Sequence, residues 1–431
     1  MFHPVSRVAA PLALAAALAL ANGSARAALS LDDALALAQQ RSQQLVAQGA
    51  AASAAREMSI AAGQLPDPTL KAGVNNLPVD GPDRFSLTRD FMTMRSVGVM
   101  QELTREDKRR ARAARFEREA ESVDAQRALA LANLRRDTAL AWLDRHYLER
   151  MRTLLSSQRD EATLQVEAAE AAYRGGRGAQ ADVFAARSAV AQIDDRIRQT
   201  ELQQATAMTR LARWIGDAAV QPLAGAPDAS KAPFTDASEL QAGLAHHPEL
   251  DLMARQEAMA QAEADIARSA KRSDWSVEVM VSQRGPAYSN MVSITFAVPL
   301  QWDQARRQDR ELAAKSALVE QMRAQREEAT REHLAQTRTW VQQWQSGRAR
   351  IAAYDSTLIP LAAERTRAAI AAYRGGGGSL SAVLEARRME IDQRMERLRL
   401  EMETAGWWAQ LQYLIPAEHP RAAHPAQEVT R

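Results

Sequence analysis

The adjacent pair His246 and His247 offers two imidazoles that could hold a transition metal, since neutral histidine is a common ligand for Zn, Cu and Ni. The pair precedes Pro248 at a helix start with no third ligand nearby, so no metal site is assigned to it. Met92, Met94 and Met100 carry thioethers suited to soft Cu(I) or Ag(I), but the expectation is that they fill a loop edge or face lipid. His146 and His333 stand alone within long helical patterns and are expected to be exposed or interfacial; Trp407 and Trp408 read as interface packing. Catalysis has no footing. The chain contains no H-E-x-x-H, no G-x-S-x-G and no lysine placed after its glycines as in a phosphate-binding loop. It has no cysteine, which excludes disulfides, thiolate metal sites and a lipid anchor on an N-terminal cysteine. The reading is not an enzyme, with no cofactor and no metal.

The elements around these residues are organised by a glycine turn that occurs twice. Ala172-Tyr173-Arg174-Gly175-Gly176-Arg177-Gly178 returns as Ala372-Tyr373-Arg374-Gly375-Gly376-Gly377-Gly378, followed in both copies by a valine, Val183 or Val383, and by Ala186-Arg187 or Ala386-Arg387. Each glycine costs a helix about 1 kcal/mol relative to alanine, yet helical patterns abut both sides. The turns therefore reverse the chain between antiparallel helices, and the chain is a duplication.

Charge is nearly balanced at a formal +2 over 431 residues, so nothing points to nucleic acid. Arg7, the apolar run Val8 to Ala21 and Ala25-Arg26-Ala27 read as a cleavable export signal over residues 1–27. Beyond it no apolar run approaches the roughly 20 residues of a membrane-spanning helix.

The mature chain opens with an alanine-rich helix from Leu29 to about Ala62, started by Ser30 with Asp32 and Asp33 in its first turn. Period-two alternation predicts strands at about 69–76 and 94–102. From Val99 to Arg174 one helix of roughly 100 Å is expected, with Leu140, Leu143, Tyr147, Met151 and Leu154 as a narrow apolar seam of the coiled-coil kind. A return helix runs from Ala179 to Ile215, and a proline-bearing connector occupies 223–236. The second half replays this order, Leu244 answering Leu37, Leu252 answering Leu45 and Asp274 answering Asp67. Strands are predicted at about 275–283 and 291–299, then a long helix from Asp303 to Tyr373 that Gly347 and Pro360 should bend. A closing helix from Ser379 to Ile415 carries Leu384, Ile391, Met395, Leu398 and Met402 as its seam. The first repeat thus covers 28–222, the second 237–416, and a disordered tail 417–431.

Two strand pairs separated by helices of about 100 Å cannot form a sheet on an ordinary core. In an exported chain, alternating strands suit an outer-membrane β-barrel. Four strands cannot close one, and open edges in lipid cost several kcal/mol per unsatisfied group, so symmetric copies must supply the rest.

The order helix, strand pair, long helix, Y-x-G-G turn and return helix, all twice, resembles the TolC-like outer-membrane efflux proteins over Ala28 to Pro416. Asp182-Val183 after the first turn and Val383-Leu384-Glu385-Ala386 after the second carry the family's periplasmic tip pattern. Gln64-Leu65-Pro66-Asp67-Pro68, Asn76-Leu77-Pro78, Met92-Thr93-Met94 and Gln101-Glu102 look like the CusC-like and CzcC-like heavy-metal branch.

The resemblance implies a fold that is mainly α with a small β part: duplicated long antiparallel coiled helices and four strands per chain, giving a homotrimer with a twelve-stranded outer-membrane barrel and a periplasmic helical tunnel. It implies a passive duct for heavy-metal cations such as Cu/Ag or Zn/Co/Cd, fed by an inner-membrane transporter of the resistance-nodulation-division type through a periplasmic adaptor. Multidrug efflux or a type I secretion exit duct is the alternative cargo, and a periplasmic coiled-coil adaptor or scaffold the alternative class. Tyr173 to Gly178 and Tyr373 to Gly378 would form the tip that meets the adaptor. Asp182 and Tyr373 match residues that hold the tip closed, and Glu385 matches a position that forms an acidic ring. Gly378 stands where some relatives have an arginine and Ala382 where some have an acid, which shifts the latch to Arg174, Arg177 or Arg374.

Overall fold

The computed structural model describes residues 28–233, 239, 243 and 246–414. The export signal, the tail and Leu244 lie outside the described residues. The fold is mostly helical with one antiparallel four-stranded sheet. Its elements are α1 Leu31–Arg41, α2 Gln43–Ala62, β1 Thr69–Asn75, β2 Met94–Leu103, α3 Glu106–Arg174, α4 Gln180–Ile215, α5 Pro248–Ser269, β3 Trp275–Gln283, β4 Met291–Ala297, α6 Gln308–Ala353, α7 Ile359–Arg374 and α8 Leu380–Gln412. Two compact units share the described residues: 28–42, 133–233 and 338–414 in the first, and 43–132 and 246–337 in the second. Each unit draws on both sequence repeats.

Local chemistry explains most boundaries. Ser30 caps α1 by accepting the Asp33 N–H at 3.1 Å. The 69 residues of α3 contain no glycine or proline and carry Glu–Arg pairs one turn apart, Glu106 with Arg110 and Arg115 with Glu119. One expected helix is divided: Ser42, with ψ at 102°, leaves the helical region between α1 and α2. No glycine or proline marks that break.

The first unit is a helix bundle. Of the α3 seam, Leu143, Tyr147 and Met151 are buried. Leu148, Met151 and Ala207 pack with Leu398, and Leu154, Met395 and Met402 close around them. Further along, Leu155, Ala162, Ile193 and Ile391 form a second layer. The connector is tied into this unit by indole donors. Trp344 Nε1 donates to the Ala229 carbonyl at 3.1 Å and Trp408 Nε1 to that of Lys231 at 3.0 Å. Upstream, the buried Arg145 guanidinium donates to the Ala219 and Gln221 carbonyls. Leu29 pairs with Leu223 in a parallel bridge, its N–H donating to Pro222 O at 2.8 Å.

Gly347 does not interrupt α6, which runs unbroken to Ala353. A Cβ at this position would overlap Thr404 Oγ1 and come 3.2 Å from Thr404 Cβ. The glycine admits a neighbour rather than breaking a helix. The irregularity comes later, as a π-helical turn over Tyr354–Leu358 just ahead of Pro360.

His146 is not solitary. Its ring stacks on Trp142 at 5.2 Å, and burial, then the nearby Arg150 charge, lowers its pKa from the usual 6.5. The unfolded chain therefore binds the proton more readily, so His146 contributes stability that is complete above about pH 6.5 and lost as pH falls. Denaturant midpoints measured from pH 7 to 5 should decline less steeply in His146→Phe than in the parent; parallel curves would exclude this contribution.

The sheet lies in the second unit, in the order β1-β2-β3-β4 with antiparallel neighbours throughout. Its register puts Leu70, Val99, Val279 and Ile294 in one cross-strand row and Ala72, Val97, Val281 and Val292 in the next. This face is apolar and open to solvent: Leu70 is 71% exposed and Phe296 67%. The alternate residues make a polar face, where Lys71 pairs with Glu278 at 2.5 Å and Ser96 bonds Ser282 at 3.1 Å. Exposed Trp275 and Trp302 border one end of the apolar face, and the loops at the other end carry exposed Phe85, Phe91 and Tyr288. The outer strands β1 and β4 each have one unpaired edge. Among the described residues no helix is long and apolar enough to cross a membrane.

Candidate functional site

Both glycine turns fold by one hydrogen-bond pattern. In the first, Gly176 takes φ +70° while the Gly175 N–H reaches Ala171 O at 3.0 Å and the Arg177 N–H reaches Ala172 O at 2.9 Å. In the second, Gly376 takes φ +78° while Gly375 reaches Ala371 O at 2.9 Å and Gly377 reaches Ala372 O at 3.0 Å. This is a left-handed helix stop that glycine adopts without strain. The two hairpin ends pack together through Ala169, Val183, Ala186, Leu380 and Val383, with Tyr373 and Leu384 against them. Tyr173, Arg174, Gly175, Gly176 and Arg177 remain exposed, as do Arg374, Gly375, Gly376 and Gly377; Gly178 and Gly378 are half-buried.

The acidic candidates differ. The Asp182 carboxylate accepts the Ala179 N–H at 3.2 Å and so caps α4. Glu385 is exposed and lines a groove of about 530 Å³ with Gln165, Arg196, Arg387 and Arg388. The repeat-related Arg187 and Arg387 both pair with glutamates of α3, Arg187 with Glu170 at 2.7 Å and Arg387 with Glu161. Among the described residues Arg174, Arg177 and Arg374 form no ion pair, so within one chain no latch partner is assembled for them.

Tertiary structure supplies what the sequence lacks at His246-His247. His333, from α6, lies with its ring 4.2 Å from that of His247, and its Nε2 is 3.2 Å from Glu249 Oε2. The expectation of no third ligand, and of a lone His333, is corrected. The His247 ring caps α5, its Nδ1 accepting the Glu249 N–H at 3.3 Å, and burial, then the neighbouring His333, lowers its pKa to about 4. The methionines do not converge. Met94 and Met100 occupy the polar face of β2, six residues or about 20 Å apart, and Met92 precedes the strand. Neither strand methionine belongs to the apolar face.

No protein-family model matches the chain, and no curated protein does. Solved structures do match. The outer membrane protein VceC of the bacterial pathogen Vibrio cholerae superposes with a TM-score of 0.73 at 17% identity, covering 89% of this chain and 95% of that one. CusC gives 0.74 at 15% identity over 89% and 92%, and the MtrE outer membrane channel of Neisseria gonorrhoeae, in its open state, 0.71 at 15% over 89% and 88%. Structures sharing the fold include further outer-membrane channels, among them OprN and the CmeC channel of Campylobacter jejuni.

Proposed function

We infer, from the premise that this chain has the fold of the TolC-like outer-membrane channels, that it is a passive outer-membrane efflux duct acting as a homotrimer. The observation that carries this reading is the sheet. Its exposed apolar face, bordered by aromatics at both ends, suits lipid and its two interfaces. Its two open edges require partners wherever water is absent. Three copies would make a closed twelve-stranded barrel with the Lys71–Glu278 face toward the lumen.

The exposed glycine turns would form the periplasmic tip, docking an adaptor that links the duct to an inner-membrane pump of the resistance-nodulation-division type. The proposed cargo is heavy-metal cations, with drugs or a secreted polypeptide as the alternatives; the segments resembling the CusC-like branch favour the first. A deletion strain tested against Cu, Ag, Zn, Co and a drug panel separates them, and unchanged metal tolerance with lost drug tolerance overturns the metal assignment. An adaptor or scaffold has no use for an exposed, two-edged apolar sheet. Purification tests the whole reading: the protein should need detergent, run as a trimer in mild SDS and open conducting pores in planar bilayers. A water-soluble monomer would end it.

Glu385 is proposed to ring the aperture, where three carboxylates would favour cations. Glu385→Gln should then lower cation preference in single-channel recordings without changing trimer yield. Identical selectivity would remove Glu385 from the aperture.

A further inference from the structure

We propose that His247, Glu249 and His333 form a binding site for one divalent transition-metal ion of the Zn(II) class. One ligand atom from each of the three lies within 4.8 Å of the others. His333 Nε2 and Glu249 Oε2, at 3.2 Å, already stand at the separation of about 3.3 Å between donors around a tetrahedral ion with bonds of about 2.0–2.1 Å. The third donor needs a closing movement of up to about 1.5 Å, from 4.8 Å to the tetrahedral separation. Glu249 is half-exposed at the first turn of α5, and the cap bond to His247 Nδ1 is long enough, at 3.3 Å, to be given up at little cost.

The donor set selects the ion. Two imidazoles and one carboxylate suit Zn(II), and also Co(II), Ni(II) and Cu(II), whereas Ca(II) and Mg(II) require oxygen shells and Cu(I) favours sulfur. His247 is buried and comes from the start of α5; His333 comes from the middle of α6. The half-exposed Glu249 side leaves a fourth position for water. The ion would clamp the start of α5 to α6 inside the second unit, a site separate from the glycine turns and from the sheet. This inference stands whether or not the chain conducts.

The test is metal titration of the tag-free full chain in detergent after dialysis against chelator, with Zn(II) by calorimetry and Co(II) by visible absorption. One equivalent per chain is expected, with Co(II) bands of low-symmetry, four-coordinate intensity and a Zn(II)-dependent rise in Tm. His333→Ala and Glu249→Gln, each checked for native circular dichroism, should weaken binding at least tenfold, and His146→Ala should leave it unchanged. Absence of saturable binding in the parent chain overturns the site, and that result does not depend on any variant folding. So does parental affinity in His333→Ala, which would place the ion on His246 or on the histidines of the tail.

Discussion

Val279→Arg is expected to eliminate the SDS-resistant trimer from outer-membrane fractions. Val279 is the central residue of β3, between Val99 and Ile294 in a row that faces away from Lys71 and Glu278. An arginine at the midplane of a barrel's lipid face costs about 2–4 kcal/mol per copy, and a trimer carries it three times. The matched control is Ser293→Arg, in β4 on the polar face opposite Met280, where the new cation would enter a wet lumen. Quantitative blotting of heat-modifiable trimer in membrane fractions reads both. Equal trimer levels in the two variants would mean that neither face meets lipid, and the barrel reading would be lost.

The second large effect reverses sign with its background. Gly347→Ala adds a better helix former, which alone should stabilise α6 by about 1 kcal/mol. Here the added methyl would overlap Thr404 Oγ1, whose position is held by its hydrogen bond to Leu400 O at 2.7 Å. Forcing an extra methylene-sized group into a packed contact costs about 1–3 kcal/mol, so the substitution should destabilise the protein. In a Thr404→Ala background the oxygen is gone and the same change should turn neutral or stabilising. Denaturant unfolding of all four proteins gives the coupling directly. Additive effects within error would show that the two helices do not approach as closely as this glycine allows.

The legibility of the fold follows from where each signal is stored. Strand positions were readable because alternation at Val97, Val99, Val277, Val279 and Val281 is a local pattern, and the observed strands begin at or next to the expected residues. The glycine turns were readable because a left-handed helix stop leaves few residue choices. The break at Ser42 was not, since no residue there forbids a helix. Gly347 misled because a glycine inside a helical pattern signals either a break or a close neighbour. The neighbour, Thr404, is far along the chain.

By itself the sequence determined the element types, the duplication, the absence of sulfur chemistry beyond methionine and the two-faced character of each strand, all properties of residue type and short spacing. Only the tertiary structure decided that α6 passes Gly347 without a break, that Trp344 and Trp408 hold the connector, and that His333 completes a cluster with His247 and Glu249. Those facts depend on side chains brought together from distant positions. Periodicity tells which face of a helix is buried, but not which residue of another helix will stand opposite it.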